Sequence, residues 1–250
     1  MSKIVDRTLD FIELFASERK PLVLSEISRL LNIPISSCHD VLQALSARGY
    51  IYEIGPRAGF YPTTKLLDLA GIIAHHDPIV LRAEILLRKL RDDVDESVSL
   101  AIAAETKVTY VLVFEPNHPL RFLVKVGSQV RSLHATSAGK AFLGSLAPDQ
   151  FDEYLKTAKL SPMTAKSITT KPKLRADIEA SRRRGWFLNR GESVEDATTL
   201  SSFFVWNGTT YVVTIAGPSA RVEPKLRFAA ERLMAACRQL HGGVPASKSA

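Results

Sequence analysis

Residues 24–50, LSEISRLLNIPISSCHDVLQALSARGY, decide the fold of the first part of this chain. Ser25 stands before Glu26-Ile27-Ser28-Arg29-Leu30-Leu31, a short helical segment for which it is the expected N-cap. Asn32-Ile33-Pro34 then reads as a tight turn. Ser36 is the expected cap of a second helix running to about Arg48. Its apolar face carries Cys38, Val41, Leu42 and Leu45 at i, i+3, i+4 and i+7, with Gly49 as the residue that closes it. Two short helices across such a turn form a helix-turn-helix unit, whose second helix enters the DNA major groove. The spacing turns Ile35, Ser36, Ser37, His39, Asp40 and Gln43 outward. Among these side chains, glutamine pairs bidentately with adenine, aspartate accepts from cytosine, and serine reads either kind of partner.

The flanks extend this reading. Residues 4–16 place Ile4, Leu9, Ile12 and Phe15/Ala16 at helical spacing, and Lys20-Pro21 ends that helix. Downstream, Tyr50-Ile51-Tyr52-Glu53-Ile54 alternates like a strand, Gly55 to Gly59 is a turn, and Phe60-Tyr61-Pro62 starts a return strand. The hairpin is a wing, with Arg57 at its tip placed for phosphate or the minor groove. Ser25, Arg48 and Arg57 complete the expected DNA contacts. An unspecialised helical bundle that binds protein is the competing interpretation of the three helices, and the wing argues against it.

Charge does not carry the case. The 250-residue chain has a net charge of +7. Residues 1–76 hold eight Lys or Arg against eight Asp or Glu, so the excess lies in residues 77–250, with 25 basic against 18 acidic. The predicted recognition helix has no Lys or Arg before Arg48. Phosphate affinity is therefore expected from Arg7, Arg29, Arg48, Arg57, helix N-termini and dimerisation. The basic second part favours an anionic ligand. Cys38 and Cys237, far apart, argue against a disulfide framework and a cysteine zinc site. No apolar stretch approaches a signal core or a membrane span, which predicts a soluble cytoplasmic protein with no membrane partner. No cofactor or metal is expected. His75-His76 reads as a solvated step in a linker.

Thr64 to about Ala74 has a helical pattern, His75-His76-Asp77-Pro78 interrupts it, and Pro78 opens a helix to about Asp93. The expected boundaries are 1–63 for the winged domain, 64–93 for a helical linker, 94–241 for a second domain and 242–250 for a flexible tail. In the second domain, 97–104 and 108–115 read as strands around a turn. Residues 120–126 and 129–133 read as a second hairpin around Gly127. His134 to Leu143 opens a helix, and helices follow at 148–157 and 172–184. Strands are expected at 186–190, 200–206 and 210–216, then a closing helix over 221–241. Strands and helices mix without a βαβ repeat, so the class is α+β. Arg182-Arg183-Arg184 reads as a solvated helix end that the dipole favours, and His134 as a hydrogen-bonded core residue.

Several ordered stretches resemble the IclR family of bacterial regulators: Leu24-Ser25-Glu26-Ile27-Ser28 with Pro34-Ile35-Ser36-Ser37; Leu133-His134-Ala135-Thr136-Ser137-Ala138-Gly139-Lys140-Ala141; Arg183-Arg184-Gly185-Trp186; and Ile215-Ala216-Gly217-Pro218-Ser219-Ala220-Arg221. The likeness covers about residues 3–241. It implies an N-terminal winged helix-turn-helix, a GAF-like α+β effector domain and a helical linker, in dimers that often pair into tetramers. The partners it implies are double-stranded operator DNA, further copies of the chain and a small-molecule effector, with a carboxylate favoured. This sequence departs from the family at Ile35 and Asp40, where a basic residue is usual, and over Phe187–Glu192 and Glu195–Thr199. The effector pocket it implies is lined by Leu120, Leu123, Arg131, Ser137, Ala138, Asn189, Ala197, Thr199, Ser201, Thr214 and Ala216, with Phe203 as a further apolar wall. A helix N-terminus near Thr136/Ser137 suits a carboxylate, and Arg131 pointing inward adds a charged fork.

Two other functions stand beside the ligand-responsive regulator. One is an architectural or protein-interaction module whose second domain only oligomerises. The other is an enzyme built on Ser137, His134 and Lys140. The chain lacks a Gly-x-Ser-x-Gly elbow, a complete phosphate-binding loop and His-Glu-x-x-His, which argues against the enzyme.

Overall fold

The computed structural model describes residues 3–55, 58–104, 107–130 and 132–241. The chain divides into two compact units, Met1–His75 and His76–Ala250. The first contains α1 (Lys3–Glu18), α2 (Leu24–Leu31), α3 (Ile35–Ala47), β1 (Ile51–Gly55), β2 (Gly59–Pro62) and α4 (Lys65–His75). Its core is Phe11, Phe15, Leu22, Ile27, Cys38, Leu42, Leu45 and Ile51. The α3 stripe expected from spacing supplies three of these, and Val41 packs half-buried beside them. In α1 the stripe is rotated. Phe11 and Phe15 enter the core, while Leu9 is 52% exposed. An aromatic pair at i and i+4 buries more apolar area than leucine, and it sets the face.

Neither expected serine cap forms. The α2 N-cap is Val23, and its N–H donates to the Glu26 carboxylate at 3.1 Å. That carboxylate also complements the dipole, and the contact holds its pKa down. Ser25 is left in the first turn. Helix α3 starts at Ile35 directly after Pro34, with no side-chain cap, so Ser36 too lies inside the helix. The turn between them closes on Asn32 at φ 52 and on Ser28, whose hydroxyl donates to the Ile33 carbonyl at 2.7 Å. The wing is the antiparallel pair β1–β2. Leu22 bridges to Phe60 beside it through two backbone hydrogen bonds of 2.9 and 3.2 Å. Gly59 permits this approach. It holds φ +89, and a Cβ there would stand 2.6 Å from the Leu22 carbonyl oxygen.

The second unit opens with α5 (Pro78–Val94), where the Asp77 carboxylate accepts the Ile79 N–H at 2.9 Å and Pro78 occupies the first turn. It continues with β3 (Ser97–Ala104), β4 (Lys107–Phe114), α6 (Ser137–Ser145), α7 (Pro148–Thr157) and α8 (Lys171–Arg184). Then come β5 (Phe187–Arg190), β6 (Ala197–Trp206), β7 (Thr209–Pro218), α9 (Ser219–Val222) and α10 (Leu226–Leu240). The five strands form one antiparallel sheet ordered β4-β3-β7-β6-β5. One face carries Val98, Leu100, Leu200, Phe204, Val213 and Ile215, and it packs on α5 and α10. The other carries Ala101, Ala103, Phe187 and Val212, and it packs on α6, with α7 and α8 outside.

Two expectations are corrected here. The described residues of 120–126 and 129–133 do not form a hairpin of their own. This segment instead runs along β4, with Tyr110 and Val108 exchanging backbone bonds with Gly127, Ser128 and Val130. The free edge of β4 offers a partner that an isolated hairpin lacks. The closing helix is not continuous either. Pro224 has no N–H, and a 3₁₀ turn at Glu223–Lys225 separates α9 from α10. The expected tail, residues 242–250, lies outside the described residues, as do Arg57 and Arg131.

Candidate functional site

In the first unit the predicted DNA contacts fall on two sides of α3. Ser25, Ile35, His39 and Gln43 line one groove together with Glu53 and Gly59 of the wing. Ile35, His39 and Gln43 form one i, i+4 ridge. All four are exposed, Ile35 at 55%, and the Gln43 amide lies 3.4 Å from His39 Nε2. Ser36 is exposed nearby in the first turn. Ser37, Asp40 and Arg48 instead line a groove of about 1020 Å³ whose other walls are Val5 and Ile12 of α1 and Leu66 and Leu69 of α4. The reading helix thus offers two distinct ridges, and only the first shares its groove with the wing.

In the second unit the α6-facing side of the sheet is chemically divided. Ala101, Ala103, Val212 and Phe187 are apolar, whereas Ser99, Thr214, Ser201, Thr199 and Ala216 follow one another across the paired strands on the same face. The N-terminus of α6 rests on this second half. Thr136 is its cap and accepts the Gly139 N–H at 3.1 Å. Ser137 therefore does not act as the cap. Its hydroxyl lies 2.7 Å from that of Thr199, Ser201 donates to it at 2.8 Å, and Ser201 lies 2.8 Å from Thr214. All four residues are buried. Four hydroxyls own four hydrogens, and three bonds use three. With Ser201 donating to Ser137, the spare O–H belongs to Ser137 or Thr199, at the N-terminal end of α6 with its first-turn N–H groups.

The neighbours of this shelf are fixed. Asn189 donates to the Ala135 carbonyl at 2.9 Å and accepts the Glu192 N–H at 2.8 Å. His134 contacts Ser132 and the Ser161 carbonyl, and burial lowers its pKa. Ser97 donates to the Phe122 carbonyl at 2.6 Å, which ties the 115–130 segment across the shelf. Ala138, Ala197 and Ala216 are buried and small, as the expected lining requires. Leu120 and Leu123 differ. They are 71% and 57% exposed, so they face outward from the segment rather than into an enclosed cavity. Phe203 packs on Phe187 in the core, with ring centroids 6.2 Å apart.

Two buried ionic clusters frame the site, and sequence reasoning gave neither a role. Lys140, fully buried, donates to Glu192 Oε1 at 2.6 Å and the Leu188 carbonyl at 3.1 Å, with Asp177 Oδ2 at 3.0 Å. Asp177 Oδ2 and Glu192 Oε2 have no hydrogen-bond partner among the described residues. Burial pushes the Glu192 carboxyl above its usual range, the Lys140 charge counteracts this, and Asp177 reinforces it. At the other end, buried Glu96 accepts a fork from Arg221 at 2.8 and 2.7 Å. A signal existed for both clusters, because Lys140 and Arg221 interrupt stretches of otherwise small or apolar residues. Arg182 is also more than a solvated helix end. It donates to the Gly144 and Leu146 carbonyls and so closes the C-terminus of α6.

A winged helix-turn-helix unit joined to an α+β sheet unit is the architecture of a transcription regulator. The chain matches the IclR helix-turn-helix domain over residues 4–55 and the bacterial transcriptional regulator IclR C-terminal domain over residues 72–241, and it belongs to that family. It is 25% identical to the HTH-type transcriptional regulator BhcR of Paracoccus denitrificans over 251 residues, covering 99% of this chain and 89% of that protein. Its fold matches that of an IclR regulator from Silicibacter sp. TM1040, with TM-score 0.71 and 20% identity over 97% of this chain and 98% of the other. It also matches an IclR homologue from Microbacterium hydrocarbonoxydans solved with 4-hydroxybenzoate, with TM-score 0.65 and 22% identity over 95% and 100% of the two chains. The curated relatives are transcription regulators or repressors, not enzymes. Among the described residues no helix is long and apolar enough to cross a membrane.

Proposed function

We propose that this regulator responds to a small carboxylate, held on the hydroxyl shelf at the N-terminus of α6, and controls catabolism of organic acids. The carrying observation is the Thr214–Ser201–Ser137–Thr199 chain with its one unspent hydroxyl hydrogen. A carboxylate there accepts that O–H and the first-turn amides and meets the positive end of the helix dipole. The 4-hydroxybenzoate in the Microbacterium homologue supports an aromatic acid as the first class to test. A panel of aromatic and aliphatic acids should contain a compound that raises the melting temperature of the full chain, because a ligand of the native state stabilises it. Thr199→Val removes an end of the hydroxyl chain with little change of shape. It should weaken that compound about tenfold or more, the worth of one hydrogen bond to a charged group. An unchanged affinity places the ligand elsewhere.

The winged unit, residues 1–63, is read as the operator-binding part, residues 64–93 as the linker that transmits the change, and 94–241 as the sensor. The ridge Ile35–His39–Gln43 with Ser25, and Ser36 beside it, is the preferred base-reading surface because it shares its groove with the wing. Ser37, Asp40 and Arg48 on the other ridge are the second choice, and Arg57 is assigned to the wing tip by sequence alone. Gln43→Ala should cost roughly 1–3 kcal/mol at one operator position and relax the base preference there. Selection of genomic fragments by the parent and the variant measures this. An equal loss on every sequence would remove Gln43 from base reading. The effector's grip on the operator is limited to its differential affinity for the two arrangements of a dimer or tetramer.

A further inference from the structure

More than half of the protein's excess charge lies in one lobe. From α7 through the following loop to the end of α8, residues 148–184 hold nine basic side chains (Lys156, Lys159, Lys166, Lys171, Lys173, Arg175, Arg182, Arg183 and Arg184) against Asp149, Asp152, Glu153, Asp177 and Glu179. Nine minus five is +4, out of a net charge of +7 for the full chain.

Part of this charge has local work. Arg182 closes α6, Arg175 pairs with Asp152 at 2.7 Å, Arg184 stacks on Trp186, and Lys171 donates to the Lys156 carbonyl at the end of α7. The side chains of Lys159, Lys166, Lys173 and Arg183 are exposed and form no ion pair or hydrogen bond among the described residues. The local physics opposes several of these positions. Lys171 and Lys173 stand in the first turn of α8, which has no acidic residue, so they face the positive end of its dipole. Lys171 and Arg175 are like charges at i and i+4. Lys171 and Arg175 have the local contacts given above, but Lys173 breaks the rule with no local gain, which points to a partner. Lys156, Lys171 and Arg175 line an open groove of about 540 Å³ between α7 and α8.

The unit that reads DNA is the complement of this. It is neutral, and helix α3 contains no Lys or Arg. Duplex DNA carries one charge per ~1.7 Å of axis, and affinity for it rests largely on neutralised phosphates. We infer that the α7–α8 lobe of the second unit is a second, sequence-independent contact surface for the phosphate backbone of duplex DNA. Helix α8 spans about 21 Å at 1.5 Å per residue, enough to face several phosphates along a groove edge. The inference rests on the regulator function only for the choice of polyanion. It does not depend on the operator or the effector.

The test uses the full chain and a duplex of arbitrary sequence several helical turns long, titrated over a range of sodium chloride. In one variant Lys159, Lys166, Lys173 and Arg183 are all replaced by Gln. In a charge-matched control Lys89, Lys107, Arg227 and Arg238, exposed residues elsewhere on the second unit, are replaced by Gln. The lobe variant should bind the duplex about tenfold or more weakly at low salt, and its log–log salt slope should be shallower by up to about 3.6, near 0.9 for each of the four lost contacts. The control should differ from the parent by less than about twofold. Both should melt as the parent does. Equal slopes for the lobe variant and the control overturn the inference. So does a lobe variant that keeps its DNA affinity but loses binding to RNA polymerase, which assigns the lobe to an acidic protein surface. Sequence selection by the winged unit is read separately, so its failure is distinguishable from failure of the lobe.

Discussion

Replacing Lys140 with Met should cost the folded protein about 3–5 kcal/mol, the loss expected when one partner of a buried ion cluster is removed. The parent balances one ammonium against two carboxylates within 3.0 Å of it. Methionine fills the space of the stem but leaves Asp177 and Glu192 facing each other without a cation. The deficit should depend on pH. The Glu192 carboxyl is already raised by burial, and losing the Lys140 charge, which lowers it, raises it further. A folded-state pKa above the unfolded value means the folded state binds more protons between the two. Stability is then gained as pH falls through the folded-state pKa and lost as it rises. Urea unfolding at about pH 8 should show a larger deficit than at about pH 5, where the raised Glu192 carboxyl takes up a proton more readily. Adding Glu192→Gln should recover part of the loss by removing one of the two charges. Equal denaturation midpoints for Lys140→Met and the parent at both pH values would show that the ammonium compensates nothing.

The distance between pattern and chemistry explains what the sequence revealed. Cys38, Leu42 and Leu45 were legible as an apolar face because a helix repeats every 3.6 residues and the core takes one side of it. The wing was legible from alternation and from Gly55 and Gly59. The caps at Ser25 and Ser36 were not, because Glu26 and Pro34 beside them compete for the same helix ends. Thr199 and Ser201 were placed in the site by resemblance. Their bonding to Ser137 was invisible, since the partners lie 62 and 64 residues apart in the chain. That Leu120 and Leu123 are exposed was not legible, because an apolar side chain in a loop carries no period to say which way it faces. Lys140 stood out among small residues, but its pairing with Glu192 was hidden for a related reason. Charged residues are rarely buried fully, and only tertiary structure shows where two opposite charges meet.

Arg221→Met should be the second costly substitution, at about 3 kcal/mol, the low end of the range for breaking a buried pair. Glu96 is 0% exposed, and Arg221 gives it two hydrogen bonds. Without them its carboxylate keeps, among the described residues, the Lys225 ammonium 3.3 Å away, and a side chain 29% exposed leaves water a route in. Those two features hold the loss to the low end. The site is shaped for this pair. Gly217 leaves room for the carboxylate, and a Cβ there would stand 2.3 Å from Glu96 Oε2. The same guanidinium donates to the Leu120 carbonyl at 3.0 Å, while Ser97, the residue after Glu96, holds the Phe122 carbonyl. Arg221 therefore supports both the sheet end and the segment tied across the hydroxyl shelf. In Arg221→Met, the hydrogen-bonded backbone amides of Gly127 and Val130, which hold this segment to β4, should exchange hydrogen faster than in the parent by more than the global stability loss accounts for, because a local anchor has gone as well as a buried charge pair. Glu96→Gln with Arg221→Met removes the uncompensated charge and should return most of the stability without restoring protection of that segment. If the double variant regains both, the anchor is electrostatic alone and the Leu120 contact contributes nothing. If the single variant loses less than about 1 kcal/mol, Glu96 is reached by solvent despite its burial and the pair is a surface ion pair in energetic terms.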